Sequence, residues 1–516
     1  MALVHYLLSD AGIPAKDCQK ALDRIFSDPG IPVPNSTSSF WLRTPHPTLS
    51  KIQSPQLPSE ADVVIIGSGI TAASIARSLL KDATSPTTKS LRPSIVILEA
   101  RDVCSGATGR NGGHILETAE EFLGFESVFG LDAAKQIMKF RLSHRAEMLK
   151  VAEEYGLTEY AQARNVQFLS VHFDEDKWQE SAHCINRFKE CMPDEAAEWR
   201  LIEKDEIPKE FSLPRARGIV SGPAGAMWPY RFVTGVLDKL RQEFPEELLI
   251  ETNTPVTEIH SDSQETTALP YTIVTSRGTI KARHVIHCTN AHVGHLVPGL
   301  RGRLAPLRGQ MSAQNPGSKF VSQGETRSWL INYNRGFDYL TQLPQDGQPE
   351  TAEKMMFGGG FAQSEAGGVG DLGISTDSEL SFYAEIHLSG ALSAVFGREN
   401  WGSVSGPSVE QMWTGNMSYS ADGLPWVGKL PPSATLRDAA VEGKGGEWIS
   451  TACCGEGMVQ AWLSGKALAT MLLRHDGRYA CTEDLSWFPK EMLVTDERIQ
   501  NAVFPRNIDE YSQPKA

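Results

Sequence analysis

The residues of this chain best spaced to do chemistry begin between Ala61 and His114. Gly67-Ser68-Gly69-Ile70-Thr71-Ala72 has the Gly-x-Gly-x-x-Ala spacing of a dinucleotide turn. Gly67 permits the tight turn, Gly69 lets the backbone approach a pyrophosphate, and Ala72 lets helix pack closely on strand, so the phosphates rest on the helix N-terminus at Ile70 and Thr71. Glu99, ending a second apolar run and followed by Ala100 and Arg101, offers a carboxylate to the hydroxyls of an adenosine ribose. The loop Cys104-Ser105-Gly106-Ala107-Thr108-Gly109-Arg110-Asn111-Gly112-Gly113-His114 is rich in glycine and small hydroxyl residues. Its backbone N–H groups are left to face an anion or a ring edge. A nicotinamide-binding unit normally reaches its next helix without such a loop, so the loop points to a flavin. Gly455-Glu456-Gly457-Met458 precedes a helical run from Val459 to Leu472, and a helix N-terminus there would stabilise negative charge on a reduced flavin.

Strands and helices must hold these residues in place. Asp62-Val63-Val64-Ile65-Ile66 and Ser94-Ile95-Val96-Ile97-Leu98 are short β-branched runs that read as buried parallel strands. Asp82 to Pro93 reads as a loop insertion that lengthens the spacing to Glu99. Residues 131–155 read as a helix with Ile137, Phe140, Leu142, Met148, Leu149 and Val151 on its apolar face. Residues 160–215 alternate strands with an acidic helix. A helix over 231–243, a strand over 249–252 and the run Pro255-Val256-Thr257-Glu258-Ile259 follow, with Val256 a candidate cofactor contact. Residues 304–408 read as strands and a helix. Residues 1–58 pair a short amphipathic segment, Cys18 to Phe26, with a Pro/Ser-rich run through Pro58, suited to wrapping rather than to forming a core.

Other chemistries fit less well. His284, His287, His292 and His295 invite a metal, but i and i+3 on a strand point to opposite faces, and His292 with His295 lack a carboxylate or thiolate partner. No metal is expected. Gly-x-Ser-x-Gly is absent, which disfavours a serine hydrolase. The eight cysteines form no Cys-x-x-Cys pair, and Cys453-Cys454 are neighbours that rarely form an unstrained disulfide, so a reducing cytoplasm is expected. A net charge of −14 and the absence of a basic stripe argue against nucleic acid or an anionic membrane as partner. Residues 1–20 do not make a signal peptide, no run is long enough to span a bilayer, and the final Gln513-Pro514-Lys515-Ala516 is not a peroxisomal address. A chain of 516 residues exceeds one compact core, so two interleaved domains are expected.

Taken in order, the turn at 67–72, Glu99-Ala100-Arg101 and the loop Ser105–His114 resemble the D-amino acid oxidase superfamily of FAD-dependent amine oxidoreductases. The branch most similar holds glycine oxidase, sarcosine oxidase and gamma-glutamylputrescine oxidase. Ala224-Gly225-Ala226-Met227-Trp228-Pro229-Tyr230-Arg231, Cys288-Thr289-Asn290-Ala291, Pro306–Gln310, Trp413-Thr414-Gly415, Asp422–Gly428 and Gly455–Met458 resemble later motifs of the same family. The resemblance covers roughly residues 60 to 475 and implies an α/β fold. A Rossmann-type, glutathione-reductase-like FAD-binding domain is interleaved with a mixed-sheet α+β substrate domain. The expected order is an N-terminal extension (1–58), then FAD-binding segments at 59–155, 216–303 and 410–475. Substrate-domain segments lie at 156–215 and 304–409, and a tail follows at 476–516.

The resemblance also implies FAD as cofactor and hydride removal from a C–H bond next to an amine. Its candidate binding set is Gly67, Gly69, Ile70, Thr71, Glu99, Ala100, Arg101, Ser105, Gly106, Thr108, Asn111, Gly112, Gly113, Val256, Gly455, Glu456, Gly457 and Met458. His114, Tyr339 and Gln342 are the candidate catalytic residues. Three departures limit the transfer. Leu343-Pro344-Gln345-Asp346-Gly347 lacks the arginine that binds a substrate carboxylate in glycine oxidase-like members, which favours an amine, secondary or polyamine-like, with Trp413 and Tyr339 as apolar or cation–π contacts. Arg308 and Arg335 are the other arginines that could serve a carboxylate. Arg110 and Gln411 stand where relatives place a flavin-attaching histidine and cysteine, so FAD is expected to be noncovalent. Met356 stands near the position of an oxygen-activating lysine, with Lys354 two residues away on the same strand face. The resulting expectation is an oxidase or dehydrogenase acting on the C–N bond of an amine or modified amino acid by hydride transfer to flavin N5, whose imine product hydrolyses, with oxygen favoured over another electron acceptor. A flavin monooxygenase, or a flavin-binding protein without catalysis, are the alternatives.

Overall fold

The computed structural model describes the chain apart from residues 1–2, 11, 83–91, 263, 265–267, 346, 348–350, 405, 442, 480 and 513–516. Most of the insertion expected at Asp82 to Pro93, Asp346 and the terminal tetrapeptide lie outside the described residues. Two sheets carry the architecture. In the first, strands Gly446–Thr451, Gly278–His287, Glu60–Ile66, Ile95–Leu98 and Leu248–Glu251 run parallel in that spatial order, with Trp426–Lys429 antiparallel at one edge. Val63 to Ile66 and Ile95 to Leu98 are all buried, as strands covered on both faces must be. Helices Ile70–Lys81 and Ala461–Asp476 pack together on one face. Gly465 makes that approach possible, since a Cβ there would lie 2.8 Å from the Thr71 carbonyl oxygen.

The second sheet orders Val409–Ser420, Leu304–Gln314, Met355–Gly358, Phe337–Gln342, Arg327–Asn332, Arg164–His172, Gly218–Ala226 and His114–Ile115. All its neighbours are antiparallel except Arg327–Asn332 against Arg164–His172. This is the mixed α/β architecture expected, with a parallel nucleotide-type sheet interleaved with a mostly antiparallel one. Three segments sit on the other side of the division from the sequence reading. Gly218–Ala226 and Val409–Ser420 reach into stretches assigned to the nucleotide side, yet both pair within the second sheet, and so does His114–Ile115. Within Gly218–Ala226 the glycines make room for aromatic rings. A Cβ on Gly218 would fall 2.2 Å from the Trp178 ring, and one on Gly222 2.8 Å from Phe168.

Residues 1–58 do more than wrap. Phe40 and Trp41 are buried in the main core. Val4, Leu7, Leu8, Cys18, Leu22 and Ile25, from helices Leu3–Leu8 and Ala15–Phe26, build a satellite core against Ala305, Leu307, Leu372 and Phe504. The helix expected over 131–155 spans Leu131–Glu154 and buries Ile137, Phe140, Met148 and Val151, while Leu142 and Leu149 are only partly buried. It also buries Arg141, which no apolar pattern foretells. No helix among the described residues is long and apolar enough to cross a membrane.

Candidate functional site

The turn at Gly67 is fixed by backbone geometry. Its φ is +103°, and a Cβ there would stand 2.6 Å from the Cys288 carbonyl oxygen. The helix that follows starts at Ile70, whose N–H donates to Thr108 Oγ1 at 3.1 Å, tying the turn to the glycine-rich loop. Glu99 serves the same turn from below. Its Oε2 accepts from Ser68 N at 3.1 Å and Ser68 Oγ at 2.6 Å, and its Oε1 accepts from Arg101 N at 2.9 Å.

The two glycine-rich loops meet. Asn111 Oδ1 accepts from Gly113 N at 2.7 Å, while Asn111 Nδ2 donates to Met458 Sδ at 3.5 Å. Tyr339 lies over the first loop, because a Cβ on Gly112 would meet its ring at 2.9 Å. Tyr419 lies over the second, its hydroxyl 2.4 Å from where a Gly455 Cβ would stand. The segment before the first sheet closes over the first loop. Trp41 Nε1 donates to Asn111 O at 2.5 Å, and Ser39 Oγ donates to Gly109 O at 2.7 Å. Asp377 clamps the arginines of this region, accepting from Arg101 at 3.0 Å and lying 3.3 Å from Arg110.

These elements enclose a cavity of about 1500 Å³, larger than the roughly 300–1,000 Å³ that a drug-sized ligand needs. Gly67, Gly69, Ile70, Thr71, Glu99, Ala100, Arg101, Gly106, Thr108, Asn111, Gly112, Val256, Gly455, Glu456, Gly457 and Met458 border it, as do His114 and Tyr339. Several residues singled out from sequence do not. Ser105 and Gly113 face into the protein, and a Cβ on Gly113 would lie 2.4 Å from the Met227 carbonyl oxygen. Gln342 is buried, its Oε1 accepting from Gln323 N at 2.8 Å and its Nε2 donating to Glu353 O at 3.2 Å, so its amide is spent on the fold. Trp413 is buried, with its Nε1 donating to Arg110 O at 2.8 Å. Lys354 is drawn away by Glu410 at 2.7 Å and Asn315 at 2.6 Å. The four histidines are engaged separately: His284 with Asp476, His287 with Glu447, His292 with the Gly30 carbonyl and His295 with Asp28.

The cavity fits a polar dinucleotide. Around Gly106 and Gly457 an added Cβ would meet nothing within 4 Å, so the space beside them opens into the cavity. Asn416 Oδ1, Ser418 Oγ, Ser450 Oγ and Thr289 Oγ1 border it and make no hydrogen bond among the described residues, although buried polar atoms ordinarily find partners. Both observations suit a ligand with many hydroxyl and phosphate groups.

The electrostatics at the other end of the cavity were not legible in sequence. Arg141 is fully buried and surrounded by three carboxylates, Glu117, Glu121 at 3.0 Å and Glu456 at 2.6 Å. Although 45% of the Glu121 side chain is exposed to the cavity, partial desolvation and the neighbouring Glu456 charge push its carboxyl up to about 7 against the pull of Arg141. Burial, with a smaller push from Arg164, drives the His114 imidazole down to about 3, so it is neutral near pH 7, and its Nε2 makes no hydrogen bond among the described residues. Burial raises Cys453 and Cys454 each to about 12, so neither is a thiolate. Among the described residues, every arginine and lysine bordering the cavity already holds a carboxylate: Arg101 and Arg110 hold Asp377, Arg141 its three glutamates, Lys177 holds Glu180, and Arg335 holds Asp10. Arg308 lies off the cavity, 2.7 Å from Asp371. Tyr419 is buried together with its neighbours Ser418 and Ser420, so no alternation along its strand marks it. Arg141 and Glu121 carry no such signal either.

The family profile described as "FAD dependent oxidoreductase" matches residues 62–471. The gamma-glutamylputrescine oxidoreductase of Escherichia coli (strain K12) is 20% identical over 440 residues, covering 83% of this chain and 87% of the relative. Among solved structures, glycine oxidase from Geobacillus kaustophilus superposes with a TM-score of 0.59 at 16% identity, over 85% of this chain and 99% of the other. L-proline dehydrogenase from P. horikoshii gives 0.58 at 16% identity, over 87% and 100%. At such identities the structural likeness speaks for the fold.

Proposed function

The chain belongs to the FAD-dependent oxidoreductase family, and from that premise we propose that it oxidises the C–N bond of an amine lacking a free α-carboxylate. The observation that carries this reading is one continuous cavity. It runs from the glycine turn and Glu99 to His114, Tyr339 and Tyr419, and among the described residues every arginine and lysine on its wall is already paired.

FAD bound along the turn and the two glycine loops supplies a two-electron acceptor for hydride from the carbon beside the amine. The chain supplies the rest. Glu99 and the N-terminus of helix Ile70–Lys81 hold the nucleotide end. A protonated amine cannot release hydride, so its proton must leave first, and Glu121 is the acceptor we assign. It borders the cavity, and its carboxyl titrates near neutrality. Neutral His114, with an unused ring nitrogen, and the Tyr339 hydroxyl orient the free amine. With each of these wall arginines and lysines matched by a carboxylate, a substrate carboxylate would enter uncompensated. Neither Arg110 nor Gln411 can attach a flavin covalently, so the cofactor is held by contacts alone. All eight cysteines are free thiols, which suits a reducing compartment.

Anaerobic mixing of the holoprotein with a panel of amines, amino acids and NADPH tests the reading. Bleaching of the flavin by secondary or primary amines, faster than by glycine, sarcosine or D-alanine, is expected. Bleaching by NADPH alone would move the protein to the monooxygenases, and sarcosine as the best reductant would overturn the substrate class. Acid precipitation should leave FAD in the supernatant, and flavin in the pellet would overturn noncovalent binding.

A further inference from the structure

The outer end of the cavity has a composition unlike its nucleotide end. Large apolar side chains are ordinarily covered, yet Tyr6, Val128 and Phe337 are 58%, 58% and 50% exposed, and all three border this cavity. They come from three elements that sequence separates widely: helix Leu3–Leu8, helix Phe122–Phe129 and strand Phe337–Gln342. Leu3, Leu123, Phe129 and Phe361 continue the apolar lining inward. Helix Leu3–Leu8 is held at this mouth by named contacts. His5 Nε2 lies 2.8 Å from the Ala421 carbonyl oxygen and His5 Nδ1 2.8 Å from the Tyr511 hydroxyl, while Asp10 pairs with Arg335 two residues before Phe337. The helix lies before residue 62, outside the part of the chain that the family profile matches.

We propose that the substrate carries an extended apolar group beyond its reacting amine, and that Tyr6, Val128 and Phe337 form the subsite that grips it. The inference rests on the amine-oxidising reading and names the substrate class of that same site. Continuity decides the occupant: the three side chains border the same cavity as His114, Tyr339 and Glu121, so a molecule reaching inward with its amine must leave its far end among them. The carboxylates near that end are already engaged, Glu180 with Lys177, Glu120 with His172 and Asp10 with Arg335, so a second ammonium would meet apolar side chains and paired charges, which disfavours a diamine of equal length. Tyr6 comes from the N-terminal helix, so that segment sets specificity.

The test uses the FAD-loaded full chain and n-alkylamines of four to ten carbons, with 1,ω-diamines of matched length, and reads the apparent Kd from saturation of anaerobic flavin reduction. The Kd should fall by about threefold to fourfold per added methylene while the tail is being buried, and matched diamines should bind at least tenfold more weakly. In Tyr6→Ala and Phe337→Ala the ratio of butylamine to octylamine Kd should shrink toward one. Both side chains are half exposed or more, and retained flavin content shows that the variants fold. A Kd independent of chain length, diamines binding as tightly as alkylamines, or variants that weaken every amine equally would each overturn the subsite while leaving amine oxidation standing. Reduction by no amine of either series would overturn both.

Discussion

Gly106 separates cofactor binding from folding more cleanly than Gly69 does. A branched residue at Gly69 would press on Thr108 Oγ1, 3.0 Å from the new Cβ, so its effect mixes strain with ligand loss. Gly106 has extended backbone at φ −79° and ψ −150° and open space where its Cβ would be. Gly106→Val is therefore expected to abolish FAD retention while changing apoprotein stability by less than about 0.5 kcal/mol. Flavin content and thermal unfolding of the same preparation check this, and full flavin retention would place the nucleotide elsewhere. Glu121 gives the second prediction at this scale. If its carboxyl takes the ammonium proton, the rate of flavin reduction rises as pH passes upward through about 7, because only the ionised form accepts. Helix Leu131–Glu154 contributes Arg141 to its surroundings. The loop before Ala461–Asp476 contributes Glu456, strand Val409–Ser420 contributes Tyr419, and Glu117 and Glu120 lie on its own segment. Glu121→Gln should lose that rise and slow reduction by about 100-fold at pH 8. An unchanged pH profile would remove Glu121 from the chemistry.

At the scale of elements, the tie that closes the nucleotide end runs through Asp377. Its buried carboxylate holds Arg101, whose guanidinium also reaches the Val33 carbonyl at 3.1 Å. It also lies beside Arg110, which donates to Ser36 Oγ at 2.8 Å and Thr414 O at 2.9 Å. The stretch 33–37, the glycine loop and strand Val409–Ser420 thus share one anion. Removing it leaves two guanidinium groups uncompensated, one of them only 2% exposed, which costs about 3–5 kcal/mol in comparable buried pairs. Asp377→Ala should lower the unfolding free energy by that order and speed FAD dissociation, as followed by the rise of flavin fluorescence on dilution. Dissociation at the wild-type rate would show that the tie does not guard the nucleotide.

For the molecule as a whole, buried neutral imidazoles set the response to acid. Burial holds His114 at about 3 and both His144 and His292 at about 4, against about 6.5 in an unfolded chain. His144 shows why. Its Nδ1 meets the Phe140 carbonyl at 2.9 Å and its Nε2 accepts from Leu463 N at 3.1 Å, an arrangement a second proton would break. Folded pKa values below the unfolded value mean that stability is fully present above pH 6.5 and is lost as pH falls, because the unfolded chain then binds more protons. At pH 5 each imidazole costs about 2 kcal/mol. The raised carboxyls of Glu117, Glu121 and Asp82 oppose this, while the lowered imidazoles of His46, His284 and His287 add to it. Calorimetry of the holoprotein should find the unfolding midpoint several degrees lower at pH 5 than at pH 7, and a higher midpoint at pH 5 would contradict the assignment.

The glycine turn and the strands that flank it were legible in the sequence because they are local. Gly67 to Ala72, the two β-branched strands and Glu99 follow one another along the chain, and spacing alone dictates the turn they make. The opposite half of the cavity is assembled from distant segments, and only the tertiary structure decides it. Gln342 has the right type and neighbourhood for catalysis, yet packing spends its amide on Gln323 and Glu353. Trp413 is turned into the core by its bond to the Arg110 carbonyl. Arg141, Glu121 and Glu456 are brought together from three separate stretches, and Tyr6 reaches the mouth from a helix that reads in sequence as an appendage. Such residues carry no periodic signature, because their burial and charge are set by what folds against them rather than by their neighbours in the chain.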